Sequence, residues 1–567
     1  MHFLNFKYFH FLQSVSFTKL IVALIIIYPI LFIWQCGDLT DTGFYATHYL
    51  FYFENLHANK INSLMFFTEF TGAVWVRYFI SGIIGLKLLY LLLLYPILYF
   101  SYLILKEVVP SKNYLLIGLF TALAFSERFI YFVFNQEIFA WFFMIISAYF
   151  LIRGIRSVKI WLVFFSGTLF TLSWMARFPN IILFLFVPLI LAYAIFYRNP
   201  GQLSERLRLF SKVFLAFIFG SAFSLAIFWI LLKYQRLDAL YISGLPFWGN
   251  HQPQSHYPGL LLKNYINDFL GFLPHLLVFS LVFYSFSLTA DRFKKKSVLV
   301  FVAVLFFAVG IFIYFGFSYN PPLKYLVPAV CFTPLLVSII RKDQYSYIAI
   351  ILICFSLAQV AGTNTGLFLK LNYGLLILLP LSFYIIQSWS NYTHIQYLRS
   401  VKLPLYCTFL LILFLSTSCR AGTIYHVHKG VFARWVARYS LQNPKMKCIY
   451  TTNKNASLID NLSADIKKNS KSGQYLLVYG HMPLFYYLAG MQPVVDNFWL
   501  VNDNFQGQQF FAYLTKSIHE KKNWPLIVDT KQRVYGDKGE DMLAEFLRDY
   551  NYKLVSSKSN YNIWTKN

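Results

Sequence analysis

Residues 36–53 read "CGDLTDTGFYATHYLFYF" and follow directly on an apolar run from 17 to 35. A run of about 20 apolar residues is long enough to cross a bilayer as a helix. Two aspartates, Asp38 and Asp41, therefore stand where the chain leaves the membrane. Tyrosines follow them instead of further lipid-facing residues. What those carboxylates do at that depth depends first on how many more such runs the chain contains.

It contains many. The 567 residues are 58% hydrophobic and 20% aromatic, with only 13% charged, against about 25% charged in a soluble protein. Apolar runs fall at 17–35, 79–104, 114–126, 138–152, 160–176, 179–197, 213–232, 267–288, 297–317, 325–340, 346–361, 371–388 and 403–418. The expected fold is a polytopic α-helical membrane protein of about 13 spans. The first run is too long for a cleaved signal peptide and reads as the first span. The third and fourth are short.

The net charge of +26 does not indicate nucleic acid. Its Lys and Arg sit mainly in short loops, as positive-inside bias demands. With the N-terminus in the cytoplasm, the inner loops hold about twice as many of them as the outer loops. That orientation turns Asp38 and Asp41 outward. The six cysteines show neither CxxC nor metal-type spacing.

Beyond about residue 420 the texture changes. "MKCIYTT", "QYLLVYG", "PLIVDT" and "YKLVSS" read as strands, and "NASLIDNLSADIKKN" and "DMLAEFLRDY" as amphipathic helices. Residues 1–419 are expected to form the membrane domain. Residues 420–567 are expected to form an extracytoplasmic α/β domain.

Ionisable groups at membrane depth usually mark a site, and several stand at span ends. Asp38 and Asp41 read either as helix caps or as a base or cation-binding carboxylate, and spacing alone does not decide. The aromatic segment behind them suits a helix lying in the interface plane. Glu137 in "FNQEIFAWFF" is a helix N-terminal acid or a second site carboxylate. Arg177 in "SWMARFPN" and Lys324 in "NPPLKYLVP" either snorkel to headgroups or meet an anion. Together they would suit an anionic leaving group and a nucleophile needing deprotonation. Trp248, His251 and His256 read better as loop residues than as sugar ligands, and His481 as structural. Lys87 is the main mid-span charge.

Four of these stretches resemble the GT-C superfamily of membrane glycosyltransferases, which use polyprenyl-phosphate-linked sugar donors. The nearest groups are the aminoarabinose transferases and protein O-mannosyltransferases. "DTGFY" matches their first-loop acidic motif, with Tyr45 behind Asp41. "QEIFAWFF" matches the second acid, with Glu137 for Asp. "WMARFPN" matches the segment joining the fifth and sixth spans, with Arg177 for Lys. "LKYLVP" matches the start of a later span, with Lys324 for Arg. The resemblance implies an inverting transferase of the bacterial inner membrane. Asp41, with Asp38, would act as base, and Glu137 would orient the acceptor or help hold a divalent cation. Arg177 and Lys324, with Arg128 as a weaker candidate, would face the phosphate. No cofactor is required by it, and a cation between Asp41 and Glu137 stays open. The acceptor is a lipid, glycan or protein. A polysaccharide polymerase or ligase, or a transporter without chemistry, are the competing readings; a transporter predicts mid-span charges or paired broken helices.

Overall fold

The computed structural model describes residues 15–31, 33–35, 39–54, 65–109, 112–125, 133–198, 202–234, 262–274, 276–277, 346–359, 372–392, 437–496, 498, 507–531 and 537–566, with isolated positions between 331 and 339. The chain is a multi-pass membrane protein. Among the described residues, four helical stretches are long and apolar enough to cross a bilayer: Ile83–Lys106, Gln136–Ser157, Phe178–Phe196 and Leu203–Tyr234. The spans expected at 297–317 and 403–418 lie outside the described residues, as do most of those at 267–288 and 325–340.

Helix α1 (Val15–Ile30) is apolar all round, and Leu20, Ile26 and Ile27 lie on its exposed surface. Two helices of the following loop come next, α2 (Asp41–Phe51) and α3 (Phe66–Tyr78). The bundle continues with α4 (Ile83–Lys106), α5 (Lys112–Phe125), α6 (Gln136–Ser157), α7 (Ile160–Ala176), a 3₁₀ turn (Phe178–Ile182), α8 (Leu183–Arg198) and α9 (Leu203–Tyr234). Helices α10 (Ser346–Ala358) and α11 (Asn372–Tyr392) complete its described part.

Three expectations need correction. The fourth span is not short: α6 has 22 residues, about 33 Å of helix. It begins earlier than its apolar run because Asn135 caps it, accepting from the amides of Glu137 at 2.9 Å and Ile138 at 3.1 Å. Lys87 is not a mid-span charge. Helix α4 starts only at Ile83, so Lys87 sits near its first turn, where its ammonium donates to the Gln35 carbonyl. Finally, α2 has no exposed polar face of the kind an amphipathic helix shows. Every residue from Thr42 to Tyr49 is buried, because protein covers it from both sides.

Helix α6 runs from Glu137 at one end to Arg153 and Arg156 at the other. Both arginines pair with Glu107, the residue that caps α4, Arg153 at 2.8 Å. Helices α4 and α6 thus run the same way, with a basic end opposite the Glu137 end.

Helices α7 and α9 cross at close range. A Cβ at Gly167 would strike the Phe217 carbonyl, and one at Gly220 would strike the Phe164 carbonyl. Serine and threonine hydroxyls bond across the gap: Ser221 to the Gly167 carbonyl, Ser224 to that of Thr168, and Thr168 to that of Gly220, all at 3.1 Å. Lipid supplies no hydrophobic drive between helices, so close approach and such bonds hold the pair together.

The C-terminal unit, 437–566, is a small α/β fold. A short antiparallel pair, β1 (Tyr439–Ser440) and β2 (Tyr450–Thr451), precedes α12 (Asn453–Asn469). Then come β3 (Leu476–Tyr479), α13 (Leu484–Ala489), α14 (Gly507–Lys521), β4 (Leu526–Asp529), α15 (Asp537–Asp549), β5 (Tyr552–Ser557) and β6 (Asn562–Lys566). The sheet order is β3-β4-β6-β5, with β3 and β4 parallel and the other pairings antiparallel. Strand β6, "NIWTK", escaped the sequence reading because it is short and only half buried. "MKCIYTT" gives a strand of two residues only. One contiguous apolar core joins this unit to the bundle.

Candidate active site

Helix α2 carries the first-loop acid. Asp41 opens it, and Tyr45, His48, Tyr49 and Tyr52 follow at helical spacing. They share one face with Asp41. Tyr45, Tyr49 and Tyr52 are all buried. The rings of Tyr45 and Tyr49 stack with centroids 6.3 Å apart. The Tyr49 hydroxyl donates to the Phe134 carbonyl at 3.0 Å, which fastens α2 to the segment leading into α6.

That segment delivers Glu137. The carboxylate stands in the first turn of α6 and is 8% exposed, where the amides and dipole of a helix N-terminus favour negative charge. The side chain of Gln359, just past α10, donates to the Glu137 carbonyl at 2.9 Å.

Arg177 terminates α7 in extended conformation, with the 3₁₀ turn directly behind it. It is 4% exposed. Its guanidinium donates to Asn180 Oδ1 at 2.8 Å, and Asn180 Nδ2 donates to Ser173 Oγ at 3.0 Å. From α3, the Thr68 hydroxyl donates to the Ala176 carbonyl at 2.9 Å. The guanidinium is therefore braced through Asn180, and the backbone just before it is tied to α3.

The charges of these groups all reach the Tyr45 phenol. Burial pushes its pKa well above the ordinary value, and the charges of Glu137 and Asp41 push it further. A hydrogen bond with the Gln136 side chain and the charge of Arg177 act the other way. The phenol stays protonated. Two acids and one base, 41, 137 and 177 in the chain, thus act on a single buried side chain. Such a grouping can accept a proton at a carboxylate and stabilise negative charge at the guanidinium.

Asp38, Arg128 and Lys324 lie outside the described residues, as do Trp248, His251 and His256. His481 stands in the C-terminal unit after Gly480, half buried. Among the described residues, no group of three or more His, Cys, Asp and Glu side chains is arranged to hold a metal ion.

Sequence reasoning missed Glu69, in "FFTEFTG". It is 3% exposed on α3, with Oε1 3.8 Å from His48 Nδ1. The signal was present: a lone carboxylate in an aromatic run is costly to bury. Gln136, Asn180 and Gln359 were also missed, and neutral amides leave no such mark.

By sequence, no protein-family model and no curated protein matches the chain. By structure, it is similar to ArnT from Cupriavidus metallidurans bound to undecaprenyl phosphate. The TM-score is 0.52 at 10% identity, over 97% of this chain and 98% of that one. The chain shares the fold of that protein. A second structure, the apo oligosaccharyltransferase of Archaeoglobus fulgidus, matches with a TM-score of 0.50 at 11% identity, over 98% of this chain and 74% of that one. The likeness of fold therefore includes the C-terminal α/β unit as well as the bundle.

Proposed function

We propose that the protein is a membrane glycosyltransferase that moves a sugar from a polyprenyl-phosphate donor to an envelope acceptor, on the outer face of a bacterial inner membrane. One observation carries the reading: the charges of Asp41, Glu137 and Arg177, from three separate helix ends, all act on the buried Tyr45 phenol. The GT-C fold supports it. ArnT holds undecaprenyl phosphate, which supports a donor of that class here.

In the proposed reaction the donor phosphate lies against Arg177, with Lys324 assigned the same task by the sequence motif. An acceptor hydroxyl gives its proton to Asp41 as its oxygen attacks the anomeric carbon. The bond from that carbon to the phosphate oxygen breaks, and polyprenyl phosphate leaves with the electron pair. Attack opposite the leaving group inverts the anomeric centre. The guanidinium stabilises the charge that develops on the phosphate, an interaction strengthened in a partly dry site. Glu137 orients the acceptor. The basic residues at the far end of α4 and α6, which positive-inside bias assigns to the cytoplasm, support the outer location. The position of Lys87 near a helix end removes the mid-span charge that a transporter reading would use.

Asp41→Asn keeps the shape of the side chain and removes its basicity. Transfer of labelled sugar by the full-length protein in proteoliposomes should fall about 100- to 10,000-fold, with folded yield unchanged. Wild-type transfer by that variant refutes the assignment. Mass spectrometry of envelope glycans from a deletion strain identifies the acceptor.

A further inference from the structure

The C-terminal unit does more than sit beside the bundle. It grips the chain on both sides of the first-loop acids. Ahead of them, the Tyr450 amide donates to the Trp34 carbonyl at 2.8 Å. Between them, the Leu484 amide donates to the Leu39 carbonyl at 3.1 Å. Helix α13 lies so close to α2 that a Cβ on Gly43 would fall 2.7 Å from that of Leu484.

The grip ends on one side chain. His48 lies two turns along α2 from Asp41, on the same face. Its ring is 4.6 Å from that of Phe44 and 4.9 Å from that of Phe498, which the C-terminal unit supplies. Phe498 also meets Phe44 at 5.4 Å and Tyr486 of α13 at 5.2 Å. Glu69 of α3 approaches His48 Nδ1 at 3.8 Å. His48, Glu69 and Phe498 are each 3% exposed. A carboxylate buried this deeply is retained at a cost in desolvation. Its neighbours His48, Tyr49 and Tyr52 all belong to the face of α2 that carries Asp41 and Tyr45.

We propose that His48, clamped between Phe498 of the C-terminal unit and Glu69 of α3, is the positioning residue of the helix that carries Asp41 and Tyr45. The C-terminal unit is then a working part of the membrane site. This role rests on the function proposed above. A reacting group misplaced by about 1 Å loses about 100-fold in rate, so a clamp on α2 acts on turnover more than on donor binding.

The test uses the full-length protein in nanodiscs and reads two quantities. Hydrogen exchange of the α2 amides should speed about 10-fold or more in Phe498→Ala and in Glu69→Gln, because the helix opens locally when its packing is lost. The kcat for labelled-sugar transfer should fall at least about 10-fold with the donor KM within about 2-fold of wild type. Phe498→Trp, which keeps an aromatic face, should restore both. Unchanged exchange in Phe498→Ala overturns the clamp. Faster exchange with unchanged kcat overturns the positioning role. Should Phe498→Ala not fold, Phe498→Leu keeps apolar volume without the ring, and the same two readings decide. An inactive wild-type protein refutes the proposed function instead, and the exchange measurement then judges the clamp alone.

Discussion

Gly72 on α3 separates two physical expectations with opposite signs. By helix propensity alone, Gly72→Ala should stabilise the protein by about 1 kcal/mol. The structure predicts otherwise. A Cβ at Gly72 would lie 2.6 Å from both Cδ1 and Cε1 of Tyr49. Ordinary contact begins at 3.4 Å, so the ring must retreat by about 0.8 Å. It has little freedom to do so. Tyr49 is 1% exposed, its hydroxyl is tied to the Phe134 carbonyl, and its ring stacks on Tyr45. Overpacking of this kind costs about 1–3 kcal/mol, which leaves a net loss of about 0–2 kcal/mol after the propensity gain. The effect on turnover should be larger, because the ring pushes directly on Tyr45 and its helix. A loss of about 10- to 100-fold is expected. The assay is labelled-sugar transfer in proteoliposomes beside thermal unfolding of the same preparation. Gly473→Ala is the control. It has φ +71° and nothing within 4 Å of its Cβ, so it should strain the backbone by about 1–2 kcal/mol and leave transfer alone. Trimming the obstructing ring in Gly72→Ala/Tyr49→Leu should give less than additive loss. Wild-type turnover in Gly72→Ala, or strict additivity in the double variant, refutes the reasoning.

Other outcomes follow from the same geometry. Arg177→Ala should lower transfer about 100-fold or more, while Arg177→Lys keeps the charge but loses the planar fork to Asn180 and should retain part of the rate in the same assay. Gly167→Ala or Gly220→Ala should separate α7 from α9, costing about 1–3 kcal/mol, read as a lower unfolding temperature and reduced yield of monodisperse protein. Burial holds His48 down at about 3, outweighing the Glu69 carboxylate that faces it. The unfolded chain, titrating near 6.5, binds this proton first as pH falls. Stability should therefore decline below pH 6.5 by about 1.4 kcal/mol per unit from this group, and His48→Gln should flatten that part of the unfolding profile.

Much of the fold was legible because the bilayer imposes a simple rule. A segment that spans it must be apolar for about 20 residues, so α1, α4, α7, α8 and α9 can be read from composition. The amphipathic helices α12 and α15 carry their own period. The boundary errors at α4 and α6 have a different source. Where a helix starts was set by Asn135 as cap and by the Ile83 start of α4, and hydropathy does not report either.

For the site, the sequence by itself determined which side chains are unusual. Asp41, Glu137 and Arg177 are charges at the ends of apolar runs, where burial is expensive enough to need a reason. Only the tertiary structure decided that they share a neighbour. Convergence on Tyr45 depends on how α2, α6 and α7 are placed, and packing between distant segments leaves no periodic trace in the chain. The same holds for Glu69 and Phe498. Their partner His48 lies 21 residues from one and 450 from the other, and the contact exists only because the C-terminal unit folds back over α2.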